Sequence, residues 1–287
     1  RVARLPASVD GKMWLVMHLS NFSYARGGAW KSIQISTEER LERVLTVRNL
    51  FSAGLIGILL VMALYHLARY LMRRTDLGSA WFTLLCVLVL VRELTLSRMA
   101  DYMSYVPTDE IFSFLIRAEF LSFQMAGPAV MGFVGVVFPS ARYRALTRLA
   151  WLASAPYILI SIFMSIQAMS IVLKSYYLIM AAQILSTLVY LTYCGLRGRK
   201  YAWVGLFGCV VLALGATHDM FFAHGFQGSG YWTTYCFGVF VLVESYLLAA
   251  QSTHAFKQVE KSRLDNLEKI KAQMESSRLE RELSGAL

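Results

Sequence analysis

Charge is what this sequence has least of: 16% of its 287 residues are charged and 57% are hydrophobic, with a mean hydropathy of +0.51. A soluble globular domain carries about 25% charged residues. The composition therefore points to a membrane protein. Cysteine is also sparse. Cys86, Cys194, Cys209 and Cys236 all fall in apolar stretches, without metal-ligand spacing or a disulfide framework. Of the five histidines only His218 and His224 are close, and a six-residue step puts them on opposite sides of a helix, so no metal site is expected. The last apolar stretch has no Lys for a retinal Schiff base, which excludes a pigment. Gly-rich phosphate loops, nucleophile elbows and thiol–His pairs are absent as well. The sequence calls for no cofactor, and this chain carries no catalytic motif. It opens on Arg1 without an initiator Met or a cleavage-site pattern, so a fragment or processed form is expected.

What the sequence does have is long apolar stretches. A helix needs about 20 apolar residues to cross a bilayer core, and seven stretches qualify: 46–71, 78–98, 109–138, 147–168, 171–196, 201–223 and 230–252. The short alternating segments of a membrane barrel are missing. The expected fold class is an all-α membrane protein, a seven-transmembrane helix bundle. Connections one, three and five carry Arg69, Arg73, Arg74, Arg142, Arg144, Arg148, Arg197, Arg199 and Lys200, while two, four and six carry only Arg98 and Lys174. Nine basic residues against two is a strong positive-inside bias. It sets the N-terminus outside and the C-terminus inside, and it accounts for much of the net charge of +10 without a nucleic-acid partner. Gly127-Pro128 is expected to kink the third span and Pro156 the fourth. Thr108 is a candidate cap for the third.

The ends differ from the middle. Ser36-Thr37-Glu38-Glu39 matches a capping box, a hydroxyl followed three residues on by a carboxylate. A juxtamembrane helix over 36–45 is expected to run on into the 46–252 bundle. From 253 to 287 the chain is highly charged, with Leu264, Leu267, Ile270 and Met274 spaced as a helical seam, and Leu279 and Leu283 following after a five-residue step. That step breaks a strict heptad, so a short, imperfect parallel coiled-coil dimer is expected. A single solvated helix is the other reading.

Ionisable residues inside spans are costly and by default mark function. The candidate ligand or switch cluster is Arg92, Glu93, Arg117, Glu119, His218, Asp219 and Glu244. Arg117 and Glu119 are separated by about 200° around a helix, so they do not face one ligand. Interhelical ion pairing and snorkelling are the structural alternatives to a ligand pocket. Two readings are open for Glu244 in the last span: an ion pair with His66, or a protonated and hydrogen-bonded carboxyl.

The segment HLSNFSYARGGAWKSIQI (18–35), followed by a short helix and seven spans, resembles the bacterial seven-transmembrane receptors with diverse intracellular signalling modules. The similarity is carried by Ser20, Asn21, Phe22, Gly27, Gly28 and Trp30, by THDMFF near the end of span six, and by the exit QSTHAFKQVEKSRLDNLEKI. It implies that residues 1–35 are the tail of a periplasmic β-sandwich sensor, a jelly-roll that takes a small-molecule or carbohydrate-like ligand. It also implies a cytoplasmic effector in cis, either a histidine kinase, a diguanylate cyclase, a nucleotide cyclase or a phosphatase. The expected protein is thus a homodimeric receptor core among the lipids of the bacterial inner membrane. A small-solute or ion transporter or channel is the rival reading. The odd span count and the charged exit helix favour a relay.

Overall fold

In lipid, only a segment that satisfies its own backbone can span, and the apolar stretches all do so as helices. The structure, a computed structural model, describes Val16 and residues 36–97, 109–223 and 232–284. Its helices in chain order are α1 (Glu38–Met72), α2 (Leu77–Leu96), α3 (Asp109–Val137), α4 (Ala141–Phe163), α5 (Ile166–Leu196), α6 (Ala202–Ala223) and α7 (Thr233–Ser284). All seven contain a stretch long and apolar enough to cross a membrane. No strand occurs among the described residues. The hairpin segment 18–35 and Thr108 lie outside them.

The two longest helices run well past what a bilayer requires. α1 has 35 residues and α7 has 52, about 52 and 78 Å at 1.5 Å per residue. The juxtamembrane and first transmembrane segments are therefore one helix, and so are the last span and the charged exit. The capping box does not form. Thr37, not Ser36, is the N-cap of α1 and makes no side-chain cap bond. With the cap at Thr37, the third helical residue is Arg40 rather than an acid. Glu39 instead pairs with Arg43 at 3.1 Å, one turn on.

Pro128 and Pro156 sit inside continuous helices. The fourth and fifth helices begin earlier than the hydropathy of 147–168 and 171–196 suggests. They break at Met164-Ser165, where the Ser165 hydroxyl accepts from Ala168 N–H at 3.3 Å.

Neighbours in sequence pack side by side. α3 also reaches α5, and α7 returns to α2 and α1. Phe82 and Leu85 of α2, Phe133 of α3 and Phe237, Phe240 and Leu247 of α7 form the buried centre. The apolar side chains of α1 and α4 that face outward, such as Val61 and Leu152, present the surface that lipid covers. α6 turns glycines toward α7: a Cβ on Gly215 would come within 2.8 Å of Cys236, and one on Gly208 within 2.8 Å of Glu244 Oε1. Small residues of this kind let two membrane helices approach closely.

Because the helices alternate in direction, the bundle has two distinct faces. The N-side holds the start of α1, the end of α2, the start of α3, the ends of α4 and α6 and the start of α7. The C-side holds the nine clustered basic residues and the point where α7 leaves the bundle.

Candidate functional site

Most charges within the spans gather on the N-side, and two of them, Asp219 and Arg117, bind the beginning and the end of a helix. The first N–H groups of a helix have no intrahelical partner, and those of α7 find one in Asp219 of α6. Trp232 N–H donates to Asp219 Oδ1 at 2.6 Å, and Thr233 N–H donates to Oδ2 at 3.2 Å. A carboxylate there also complements the positive end of the helix dipole. His218 Nδ1 lies 3.4 Å from the same Oδ1, and its ring stacks on Trp232 with centroids 4.7 Å apart. The dyad thus grips the first turn of α7 from the neighbouring helix.

Arg117 does the converse for α4. Its Nη1 donates to the carbonyls of Ser161 and Ile162 at 2.8 and 3.0 Å, two of the last acceptors of that helix. A guanidinium at a helix C-terminus is favourable for the same electrostatic reason. Glu119 instead lies within electrostatic reach of Arg92 across the α2–α3 contact. Arg92 itself rests over the Phe123 ring at 5.2 Å.

Glu93 of α2 lies between α1 and α7. The Ser52 hydroxyl of α1 and the Thr234 hydroxyl of α7 both approach its carboxyl, and all three residues are buried. A hydrogen bond from either hydroxyl would be worth about 1 kcal/mol in a membrane interior. Its placement matters more than its strength, because the carboxyl lies between the first helix and the last.

Glu244 stands apart, deep in α7 and 1% exposed. Its Oε1 has no hydrogen-bond partner among the described residues and faces Gly208. The ion pair with His66 does not occur: His66 Nδ1 lies 3.5 Å from Ser79 Oγ, and its ring packs on Phe82 at 4.5 Å. Helix α2 stands beside His66 and engages it first.

A second attachment of α7 is on the C-side, at residues that sequence reasoning treats only as topology signals or not at all. Arg69 Nη2 at the end of α1 donates to Asp76 Oδ2 and to Ser252 Oγ of α7, both at 2.9 Å. Asp76 is the N-cap of α2, accepting from Ser79 N–H at 3.1 Å and from the Ser79 hydroxyl at 2.9 Å. Partial burial opposes ionisation of Asp76. The Ser79 bonds and the Arg69 guanidinium outweigh it and hold the carboxyl below its usual value of 3.8. α1 and α7 are thus brought near one another at both faces.

The family of 7TM diverse intracellular signalling matches residues 48–251. The chain belongs to that family of bacterial seven-transmembrane signalling receptors. No curated protein and no solved structure matches it. The matched residues hold six of the helices entire apart from the first turns of α1, together with the part of α7 down to Gln251. They include both attachments of α7 except Ser252. As a member of this receptor family the protein is a multi-pass membrane signalling core.

The four seam residues lie on the part of α7 outside the bundle. Leu264, Leu267, Ile270 and Met274 are 48–60% exposed in the single chain. The side chains of Leu279 and Leu283 lie outside the described residues. No group of three or more His, Cys, Asp or Glu side chains among the described residues is arranged to hold a metal ion.

Proposed function

We propose that α1 is the input and α7 the output of a receptor core whose N-side faces the periplasm and whose C-side faces the cytoplasm. Residues 1–35 end a β-sandwich sensor for a small, carbohydrate-like ligand, and the chain beyond α7 leads into an effector. A histidine kinase, a diguanylate cyclase, a nucleotide cyclase or a phosphatase would all suit an exit helix of this type. Two chains pair in parallel through Leu264, Leu267, Ile270 and Met274, and α7 alters that pairing. The switch residues are Glu93, Asp219 and Glu244. Arg117 and His218 hold the neighbouring helix ends, and Arg92 and Glu119 face each other between α2 and α3. The core performs no chemistry of its own.

The observation that carries this reading is the packing of α1 and α2 against α7, with Glu93 beside Ser52 and Thr234 on one face and Arg69 bonded to Ser252 on the other. A displacement of α1 on the N-side has a direct mechanical route into the one helix that leaves the membrane. Packed interfaces respond to such a displacement by switching between discrete arrangements.

Single cysteines at Leu264, Leu267, Ile270 and Met274, oxidised in native membranes, test the pairing. Strong cross-linking at these positions with weak cross-linking at Lys261 and Glu268 is the expected pattern. Equal or absent cross-linking throughout would contradict the dimer. Labelling of a cysteine at Lys200 with a membrane-impermeant reagent only after the cells are opened is expected from the proposed orientation.

A further inference from the structure

No Asp or Glu occurs between Glu119 and Asp219, a stretch that holds the whole of α4 and α5 and seven Lys or Arg residues. The basic side chains here must find something other than a carboxylate of their own segment. Arg199 Nη1 donates to Pro139 O at 3.3 Å, and the Arg197 guanidinium lies over the Tyr193 ring at 5.3 Å. Arg144 and Arg148 of α4 differ. Both are exposed, and their guanidiniums make no hydrogen bond or ion pair with a described residue.

The two arginines stand about one turn apart on one face of α4, where side chains have Cβ atoms about 6 Å apart. Like charges at that spacing repel each other, and an anion held between them removes the repulsion. The same face continues toward the N-side as Leu152 and Leu159, which are 70% and 54% exposed. All four residues fall within about 80° of arc. α4 packs against α3 and α5, and this face is turned away from both. Its 23 residues span about 34 Å, slightly more than a bilayer core of about 30 Å. Arg144 therefore sits at headgroup level. Arg148 lies about 6 Å deeper, at the edge of the hydrocarbon, from which its guanidinium reaches back toward the phosphates. From Arg148 to Leu159 is about 16 Å along the axis, the depth of one leaflet.

We infer that the C-side end of α4 is a binding site for one anionic phospholipid, whose phosphate sits between Arg144 and Arg148 and whose acyl chain lies along Leu152 and Leu159. Charge complementarity selects the headgroup, because the planar fork of a guanidinium takes two phosphate oxygens at once. A zwitterionic lipid brings an ammonium that the pair repels. A free phosphate ion would leave the apolar face unused, and an acidic protein surface cannot follow Arg148 to the edge of the hydrocarbon. The site depends neither on the proposed relay nor on the direction in which the bundle is inserted.

The test is native mass spectrometry of the whole chain released from nanodiscs that hold equal amounts of phosphatidylglycerol and phosphatidylcholine with the same acyl chains. Phosphatidylglycerol is expected to be retained about five- to thirtyfold over phosphatidylcholine, the range that one to two basic residues supply at a membrane surface. The double variant Arg144→Gln, Arg148→Gln is expected to lose most of that preference, and either single variant part of it. Arg73→Gln combined with Arg74→Gln removes the same charge elsewhere on the C-side and is expected to leave the preference intact. Equal retention of the two lipids by the unaltered chain, or an unaltered preference in the double variant, would overturn the inference. So would an equal loss in the Arg73–Arg74 variant, or release of phosphatidylglycerol by millimolar inorganic phosphate. The single variants keep the question decidable if the double variant does not fold.

Discussion

On the N-side, α7 is tied by Asp219 and lies beside Glu93, which are 4% and 7% exposed; on the C-side it is tied through Ser252 to Arg69, whose side chain is 24% exposed. The first attachment is dry and made largely to backbone N–H groups that have no alternative partner. The second is charged, reaches water and is screened by salt. α7 is therefore anchored firmly where it begins and held exchangeably where it departs. On the proposed relay, a helix attached this way is expected to pivot about its first turn, with its largest excursions on the exit segment.

The comparison predicts unequal losses. Asp219→Ala removes both bonds to the first turn of α7 and is expected to cost about 2–3 kcal/mol, read as reversible unfolding in bicelles. Asp219→Asn keeps one acceptor and should recover part of that loss. Gly208→Ala comes next. Its Cβ would lie 2.8 Å from Glu244 Oε1 and 3.2 Å from Val243 Cγ1, and forcing the two helices apart is expected to cost about 1–3 kcal/mol in the same assay. A stable Gly208→Ala would break the claim that α6 and α7 are closely packed at mid-membrane.

The C-side is expected to respond less. Ser252→Ala and Arg69→Gln should each cost under about 1 kcal/mol, while raising the mobility of a spin label placed at Lys257. Acid acts on the same latch through Asp76. Its folded value is depressed, so the stability it contributes is full above the usual 3.8 and is lost as pH falls through the lower folded value. Label mobility at Lys257 should thus stay constant from pH 7 to pH 5 and rise only below the usual carboxylate range. A rise already at pH 6 would show that another group governs the exit.

The spans were legible because lipid imposes one rule on every residue of a helix, and hydropathy reports that rule directly. The break between the fourth and fifth spans was legible but placed about four residues late, since the apolar run around Met164-Ser165 has no charge, Gly or Pro to mark it. The charged positions were legible as unusual but not in their roles. Asp219 binds Trp232 and Thr233 across a connection, Arg117 binds carbonyls more than forty residues away, and Arg69 meets Ser252. Local spacing carries no trace of such partners. Arg69 looks like any other basic residue in a short connection, and its contact with α7 becomes visible only when α1 and α7 are side by side. The capping box failed for a related reason, because a cap shifted by one residue leaves Glu39 free to pair with Arg43.

The most direct test of the central claim is disulfide cross-linking at Leu264→Cys in native membranes, compared between the otherwise wild-type chain and the same chain carrying Glu93→Gln. Glu93 lies on the N-side of α2 and Leu264 on the exit segment of α7, so the two positions communicate only through the helix. The account predicts a clear change in cross-linking yield at equal expression. An identical yield in the two chains would contradict the role of α7 as the output of the bundle.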